Sequence, residues 1–171
     1  MKDLHKFWKH RWITSKSKVY KSYIHGLGVI AVENIPKGEV VAVLGGVIVP
    51  ISEINKYREK FGHIGIQIDD NFFICPASRE ELKETGAFNH SCEPNIGYKD
   101  PITFVTIRDI KADEELVFDY AFSESMFEPF ECNCGNADCR KIIKPDDWKI
   151  PEIQKRHGEY FSPYLKKKFF R

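Results

Sequence analysis

The sequence of 171 residues contains no apolar run that approaches the ~20 residues of a membrane-spanning helix. Residues 1–8 are basic and aromatic and lack the apolar core of a signal peptide, so we expect no secretion by that route. Internal repeats and low-complexity tracts are absent as well. The length suits a single globular domain, because it is enough to bury a core and leaves little room for a second domain.

Net charge is also nearly absent, but the charges are distributed unevenly. The formal charge is +1, with 42% hydrophobic and 30% charged residues, as in ordinary soluble proteins. Residues 1–24 carry seven Lys or Arg and one Asp, a charge of +6, and residues 163–171 carry +4, which leaves −9 for residues 25–162. An acidic body suits a cationic substrate such as a Lys-rich peptide. The alternative interpretation is that the basic ends are solvated arms.

Short segments rich in Val, Ile and Phe alternate with Gly, Pro, Asn and Asp, which predicts many short strands and few, brief helices. Strands are predicted at 18–20, 29–32, 64–68, 72–74, 104–107 and 115–120, with two more inside 39–50 around the bend Gly45-Gly46. Helices are predicted over 51–61, with Ser52 as the N-terminal cap, and over one or two turns of 151–156. The sequence therefore favours a mainly β architecture over one built from βαβ units.

The cysteines are few and odd in number, which argues against a disulfide scaffold in a chain without a signal peptide. Three of the five, Cys132, Cys134 and Cys139, fall within eight residues. Closely spaced thiolates on a turn are typical of zinc sites, although the same residues could be free thiols. A closed structural site needs a fourth ligand, for which Cys92, Cys75 and the histidines are candidates.

Three further motifs carry polar groups, and each also has a purely structural interpretation. Residues 89–95, Asn-His-Ser-Cys-Glu-Pro-Asn, could be a polar loop with satisfied side chains. Residues 114–120, Glu-Glu-Leu-Val-Phe-Asp-Tyr, could be a strand after an acidic turn, with Tyr120 as a core aromatic. Residues 25–28, His-Gly-Leu-Gly, usually mark a bend, and glycine there would also let a ligand approach the backbone closely.

In this order and spacing, the four motifs together resemble the SET-domain family of protein-lysine methyltransferases. The matching segments are 26–28 for the first cofactor loop, 88–95 for the central signature, 115–120 for the catalytic strand and 132–139 for the post-SET zinc element. The resemblance covers residues 18–143, and residues 146–165 are similar to the end of small stand-alone bacterial members.

The resemblance implies a fold and a division of the chain. The fold is mainly β, the SET-domain β-clip of several small sheets with few short helices, in which the segment 89–92 is threaded beneath a later loop in a pseudoknot. This threading would bring Asn89 to Tyr120. The implied divisions are a basic N-terminal arm (1–17), the SET domain (18–122), a post-SET zinc segment (123–143) and a C-terminal extension with a basic tail (144–171).

The resemblance also implies roles for individual residues. Tyr120 would be the catalytic residue, and Leu44 and Phe118 would line the substrate channel. The implied binding residues for S-adenosylmethionine are His25, Gly26, Leu27, Gly28, Asn89, His90, Tyr120 and Phe130. The implied ligands of a structural Zn²⁺ are Cys92, Cys132, Cys134 and Cys139, which makes Cys75 a buried thiol.

The activity implied is methyl transfer from S-adenosylmethionine to a lysine amine of a basic protein such as a histone. The compartment would be the cytoplasm for a bacterial protein and the nucleus for one acting on chromatin. We expect no membrane association and no direct nucleic-acid site, because a zinc-ribbon module for nucleic acid needs a basic face and the body here is acidic. Phe118 favours di- or trimethylation, since phenylalanine lacks a hydroxyl that would hold a water near the amine.

Two departures from the family's pattern stand out. Leu44 occupies the place where many members have a tyrosine that lines the lysine channel, so the channel loses one hydroxyl. Gly86 and Ala87 stand where an arginine often precedes the central signature. Leu44 therefore leaves room for a second interpretation, a catalytically silent SET-like module that binds a peptide or S-adenosylmethionine without turnover.

Overall fold

We describe a computed structural model of the protein, in which residues 9–169 are placed. The strands in this range are β1 (Arg11–Ile13), β2 (Ser17–Lys21), β3 (Leu27–Ala31), β4 (Val40–Leu44), β5 (Val47–Pro50), β6 (Ile66–Gln67), β7 (Phe72–Cys75), β8 (Asn89–His90), β9 (Ile96–Tyr98), β10 (Thr103–Thr106), β11 (Val117–Phe118), β12 (Phe130–Glu131) and β13 (Ile142–Ile143). The helices are α1 (Ile54–Phe61), α2 (Arg79–Thr85), α3 (Pro151–His157) and α4 (Pro163–Lys166). Short 3-10 turns lie at Ile51–Glu53, Tyr120–Phe122, Asp147–Lys149 and Gly158–Tyr160.

The strands form several small sheets, as predicted. The largest is antiparallel with the order β1-β4-β10-β9, and a second antiparallel sheet has the order β5-β7-β6. Strands β2 and β3 form a hairpin, β12 pairs with β13, and β8 lies parallel to β11. The predicted mainly β fold class with few short helices is confirmed. Between residues 9 and 169, none of the helices has the length and apolar character that crossing a membrane would take.

The core lies between the largest sheet and the C-terminal segment. Val41 and Ala42 of β4 are fully buried, and so are Phe161 and Leu165 from the end of the chain. Gly97 in β9 permits this contact, because a Cβ atom there would lie 2.5 Å from the Cβ of Tyr160. The C-terminal segment is thus packed on the sheet through fully buried apolar side chains, the kind of contact that contributes most to folding.

The parallel pair β8–β11 brings two distant motifs together. Val117 pairs with Asn89, and Phe118 pairs with His90. Asn95 extends this pairing with its side chain, because its amide donates to the Glu115 carbonyl at 2.7 Å and its oxygen accepts from the Val117 N–H at 2.8 Å. A buried amide that satisfies both its donor and its acceptor on one strand fixes the register of that strand. The motif 89–95 is therefore held against the strand that precedes Tyr120.

A buried ion-pair network joins the cysteine-rich segment to the parallel strand pair β8–β11. Arg140 donates to both carboxylate oxygens of Asp119 at 2.6 and 2.7 Å and to Asp147 at 2.9 Å. The two carboxylate side chains are only 2% and 7% exposed. Bidentate pairing of this kind fixes orientation as well as distance, so Arg140 sets the position of the segment that follows Cys139.

The structure differs from two of the predicted segments, the strand at 115–120 and the N-terminal arm at 1–17. The strand predicted over 115–120 ends at Phe118, because the Asp119 side chain accepts from the Ala121 N–H at 2.9 Å and caps a 3-10 turn. Tyr120 therefore begins a turn. Strand β1 falls within the predicted arm 1–17 but pairs with β4 in the largest sheet. Residues 1–8 of that arm, and residues 170–171 of the predicted basic tail, lie outside the described range.

The helical predictions were also partly wrong. Ser52 caps nothing, because the chain enters α1 through a 3-10 turn without a side-chain cap. Helix α2 was missed, although its N-terminus carries a capping pattern. Ser78 accepts from the Glu81 N–H at 3.2 Å, and the Glu81 carboxylate accepts from the Ala77 N–H at 2.7 Å. The helix predicted over 151–156 is confirmed as α3.

Replacing Arg140 with methionine tests the ion-pair network. The change would leave Asp119 and Asp147 buried without their partner, so we expect the free energy of unfolding to fall by about 3–5 kcal/mol. Chemical denaturation followed by circular dichroism measures this loss. The matched control is Arg108→Met, whose pair with Glu114 is 47% and 32% exposed and should contribute less than about 1 kcal/mol. Equal losses in the two variants would contradict the prediction.

Candidate functional site

Tyr120 lies where the parallel strands end and the 3-10 turn begins. Its backbone N–H donates to Nδ1 of His90 at 3.2 Å, and its hydroxyl donates to the Phe88 carbonyl at 3.3 Å. Its ring packs against Phe118 and Phe130, with centroids 5.0 and 5.8 Å away. Burial raises the pKa of the Tyr120 hydroxyl well above its ordinary value. The hydroxyl is therefore protonated at neutral pH and available to orient another polar group.

His90 is buried beside Tyr120 and is neutral. Burial lowers its pKa to about 4, and this outweighs the opposing effect of the Asp119 carboxylate 3.7 Å away. Because Nδ1 accepts from the Tyr120 N–H, the remaining ring proton belongs on Nε2, which lies 3.4 Å from Sγ of Cys92. His90 thus connects the 3-10 turn with the cysteine cluster through both ring nitrogens.

Asn89 is oriented by the first glycine-containing loop and by Glu115. Its amide nitrogen donates to the Leu27 carbonyl at 3.2 Å and to Oε1 of Glu115 at 2.7 Å. Glu115 also accepts from Ser22 and from Tyr20, the latter through a short hydrogen bond. With both amide hydrogens used, the Asn89 carbonyl oxygen is the group presented to a ligand. Glu115 has no role among the sequence-based predictions, although it lies inside the motif 114–120.

Gly28 is required by the same arrangement. A Cβ atom there would lie 2.5 Å from Oε1 of Glu115 and 2.9 Å from the Tyr20 ring, and both groups are held by hydrogen bonds. Gly26 has φ +51°, in the left-handed region that favours glycine. The two glycines are therefore needed for different reasons. Gly28 leaves room for the neighbouring side chains, and Gly26 adopts a left-handed backbone conformation.

A cavity of about 760 Å³ lies next to these residues. Seven of the eight residues expected at the cofactor line it: His25, Gly26, Leu27, Asn89, His90, Tyr120 and Phe130. The eighth, Gly28, is not among its lining residues. The cavity has the size of a small-molecule site, which is commonly about 300–1,000 Å³.

A second, narrow cavity of about 80 Å³ meets the first at Tyr120, which lines both. Leu44 and Phe118, the residues expected in the substrate channel, line it and are 4% and 8% exposed. Glu124, which the sequence analysis did not consider, also lines both cavities. No local sequence signal identifies Glu124, because its position depends on contacts with distant residues.

Four thiols form a compact cluster near Nε2 of His90. The Sγ atoms of Cys92, Cys132, Cys134 and Cys139 all lie within 4.8 Å of one another, and those of Cys92 and Cys132 are 3.9 Å apart. A tetrahedral Zn²⁺ with bonds of about 2.3 Å needs sulfur atoms roughly 3.8 Å apart, so the donor set fits this metal. Backbone N–H groups of Arg140 and Lys141 point at the sulfurs of Cys92 and Cys139 at 3.4 Å.

Among the candidates for the fourth position of the cluster, the structure brings Cys92 to the other three thiols. Cys75 is fully buried in a separate apolar cluster with Val49, Ile54 and Phe73. Burial raises the pKa of the Cys75 thiol to about 12 and outweighs the opposing effect of Arg58 and Arg11.

The chain is similar in sequence to known protein families and curated proteins. The family model described as "SET domain" matches residues 26–121. The trithorax histone-lysine N-methyltransferase of Drosophila virilis is 33% identical over 143 residues, which are 73% of this chain and 4% of that protein. Human histone-lysine N-methyltransferase 2B is 34% identical over 152 residues, which are 79% of this chain and 6% of that protein. The chain thus spans a small part of these relatives.

Solved structures show the same fold. KRYPTONITE, in a crystal structure with mCHG DNA and SAH, superposes with a TM-score of 0.53 at 27% identity, over 72% of this chain and 28% of that one. The methyltransferase domain of human SETMAR superposes with a TM-score of 0.54, over 72% of this chain and 55% of that one. Its identity of 24% supports the fold alone.

The matched family model covers the loop at Gly26, the parallel strands β8 and β11, and Tyr120, which together contribute part of the lining of the two cavities. The chain therefore belongs to the SET domain family.

Proposed function

We propose that the protein transfers a methyl group from S-adenosylmethionine to a lysine side chain of a basic protein such as a histone. The observation that carries this proposal is the position of Tyr120 at the meeting point of a large cavity and a narrow one. The relatives named as histone-lysine N-methyltransferases support it. The chain spans 4% and 6% of the length of those two proteins.

The large cavity suits S-adenosylmethionine in size and in the groups that it presents. When bound, this cofactor would supply a methyl group already activated on a sulfonium. The Asn89 carbonyl oxygen and the backbone of residues 25–27 are polar acceptors that can bind its amino and hydroxyl groups, and Phe130 offers an aromatic face. Neutral His90 adds no positive charge near a cationic ligand. SAH in the KRYPTONITE structure is consistent with this assignment.

The narrow cavity suits the aliphatic part of a lysine side chain. Leu44, Phe104 and Phe118 give it apolar walls. Free lysine has a pKa of about 10.4, and burial among apolar groups lowers that pKa and favours the neutral amine. Tyr120 stays protonated, so its role is to orient the amine through its oxygen rather than to remove a proton. Alignment of the amine with the donor is the main task in such a transfer.

The charge around the large cavity favours a cationic peptide. Glu124, Glu128 and Glu131 line it, and each carboxylate favours a lysine-rich partner. We therefore propose a lysine-containing protein as the partner. The DNA named with KRYPTONITE belongs to that protein's complex.

We propose that the four thiols bind a structural Zn²⁺ that supports the cofactor site. Four thiolates complete a tetrahedron and leave no open position for a water. Phe130, Glu131 and Asn133 line the large cavity and lie directly beside the ligands Cys132 and Cys134. Folding of this segment around the metal would therefore complete one wall of the cavity.

The second candidate, a binding module without turnover, rests on Leu44. This leucine lines the narrow cavity in the position where a hydroxyl is often found, so the channel has fewer groups to orient an amine. Incubation with labelled S-adenosylmethionine and basic proteins separates the two candidates, because only an enzyme incorporates label. Intact Tyr120, Asn89 and His90 favour the enzyme.

Replacing Tyr120 with phenylalanine removes the hydroxyl that orients the amine. We expect the rate of methyl transfer to fall at least about 10²-fold, as when one positioned donor is removed from other active sites, while the affinity for the cofactor changes little. Tyr57→Phe is the matched control, because it also removes a hydroxyl that donates to a backbone carbonyl but lines neither cavity. Transfer that survives Tyr120→Phe undiminished would remove Tyr120 from the mechanism.

Replacing Phe118 with tyrosine tests the number of methyl groups added. Phe118 fills the channel with an apolar ring 5.0 Å from the Tyr120 ring, so the wild-type protein should form di- or trimethyl-lysine. The added hydroxyl should hold a water near the amine and shift the product towards monomethyl-lysine. Mass spectrometry of a peptide after long incubation gives the product distribution. Monomethyl product alone from the wild-type protein would contradict this assignment.

Replacing Cys92 with serine tests the link between zinc and cofactor. We expect loss of bound zinc, a lower melting temperature and at least tenfold weaker binding of S-adenosylmethionine, equivalent to about 1.4 kcal/mol. Metal analysis and calorimetric titration on one sample provide the measurements. Cys75→Ser is the control, because Cys75 lies outside the cluster and should leave the zinc content unchanged. Full cofactor affinity in a zinc-free sample would show that the two sites are independent.

A further inference from the structure

Glu124 is a mostly buried carboxylate at the junction of the two cavities. It follows Tyr120 by four residues, and both side chains line the large and the narrow cavity. Its side chain is 15% exposed. A carboxylate is costly to bury unless its charge has a partner, so the contacts of Glu124 decide what it can do.

One partner is Arg58 of α1. Its Nη2 lies 3.0 Å from Oε2 of Glu124 and 2.8 Å from the Met126 carbonyl. The guanidinium also lies over the Phe73 ring, 5.3 Å from its centroid. These contacts come from two separate segments, the loop that contains Glu124 and Met126 and strand β7, so Arg58 holds the carboxylate in a fixed place.

The other carboxylate oxygen, Oε1, is free to meet a ligand. Oε1 has no hydrogen bond to any residue in the range 9–169. Within the same range, every fully buried side-chain nitrogen or oxygen has a partner, so Oε1 keeps some access to solvent. Because Glu124 lines the two cavities, this access is to the space where a substrate amine would arrive.

The substrate poses a problem that the other lining groups do not solve. A lysine amine reaches the protein mostly as an ammonium, since its free pKa is about 10.4, and methyl transfer needs the neutral amine. Tyr120 is protonated and cannot accept the proton. Arg11 lines the narrow cavity but is cationic and donates to Thr85 and Gly45.

His63 is the competing acceptor, because it lines both cavities. It is largely exposed, but the partial burial of its ring and the nearby Arg58 cation lower its pKa, which makes it a weaker base. As a neutral group it also offers no countercharge to an ammonium. A carboxylate offers both the charge and the basic oxygen.

We propose that Glu124 binds the lysine ammonium through Oε1 and takes its proton, so that Glu124 acts as the general base of the methyl transfer. This inference rests on the proposed function. One N–H bond of the ammonium breaks and an O–H bond to Glu124 forms, which leaves a neutral amine and a neutral carboxylic acid. The amine nitrogen then forms its bond to the methyl carbon as the carbon–sulfur bond breaks, and the acid releases its proton to solvent through the large cavity.

The charges around Glu124 are consistent with this role. Burial raises the pKa of its carboxyl to about 7, and Arg58 opposes the shift. The other titratable groups that interact with it are Cys75 of β7, Tyr98 of β9 and Tyr120, all with raised pKa values, so they are neutral near pH 7. A base with a pKa near the working pH combines a high ionised fraction with useful proton affinity.

The test is the pH profile of kcat/KM for the full chain with zinc bound, using a lysine peptide and labelled S-adenosylmethionine. For the wild-type protein we expect activity to rise through about pH 7 as Glu124 ionises, and then to level. In Glu124→Gln, we expect a loss of about 10²-fold or more at pH 7, within the usual range for a general base. The loss should shrink as the pH approaches the pKa of free lysine, because the neutral amine then comes from solution.

Two controls make the test specific. His63→Gln removes the competing proton acceptor and should keep the rise of kcat/KM near pH 7, which is the acidic limb of the pH profile. Glu128→Gln removes a carboxylate of the same segment that lines only the large cavity, and it should keep that limb too. A loss in Glu124→Gln that is equal at every pH, or a limb that disappears in His63→Gln instead, would overturn the proposal.

Folding and the proposed function are checked on the same samples. If Glu124→Gln alone does not fold, the double variant Arg58→Met with Glu124→Gln removes both charges of the ion pair together. Glu124→Asp keeps the negative charge and should keep the rise in activity near pH 7. A Glu124→Asp variant whose activity does not rise near pH 7 would contradict the proposal. Wild-type protein that transfers no methyl group, although it binds S-adenosylmethionine, would reject the proposed function itself.

Discussion

The bidentate pair between Arg140 and Asp119 is the contact on which the arrangement of the site depends. Asp119 is the residue before Tyr120, and Arg140 follows Cys139 directly, so this pair joins the 3-10 turn at Tyr120 to the cysteine cluster. The same carboxylate caps the turn through the Ala121 N–H. One buried side chain therefore holds both the turn at Tyr120 and the segment that carries the clustered cysteines.

His90 provides a second connection between the same two parts. It accepts from the Tyr120 backbone through Nδ1, and its Nε2 faces Cys92. Because the ring is neutral, the connection does not depend on a titration near neutral pH. The two connections act in parallel, one ionic and one neutral. Together they explain why a cysteine in the central motif, 40 residues before the first of the other three, can be part of one cluster.

Local patterns in the sequence predicted the short strands, the clustered thiols and the motifs at 25–28, 89–95 and 114–120. They could not predict contacts between distant residues, because strand period and turn composition report only near neighbours. The fourth thiol illustrates this limit, since spacing alone left Cys92, Cys75 and the histidines as equal candidates. The family resemblance supplied the choice of Cys92, and the structure brings Cys92 to the cluster.

The errors at element ends have a similar cause. The strand predicted to Tyr120 stops early because Asp119 uses its side chain as a cap, and a strand pattern does not reveal that use. Helix α2 has seven residues and little apolar periodicity, so its Ser78–Glu81 capping pattern was its main signal. The pair of Arg58 and Glu124, 66 residues apart, has no local signal at all.

The buried charges near Tyr120 divide into two kinds. Asp119 is fully used, because both of its oxygens accept from Arg140, and its role is to hold the backbone. Glu124 uses one oxygen on Arg58 and leaves the other towards the cavities. A buried ion pair is weak evidence for stability, because desolvation offsets much of the attraction. A carboxylate with only one of its oxygens in an ion pair contributes even less to stability. Its place at the narrow cavity, beside the apolar side chains of Leu44, Phe104 and Phe118, is therefore better explained by a cation that arrives from outside, which we propose to be a lysine ammonium.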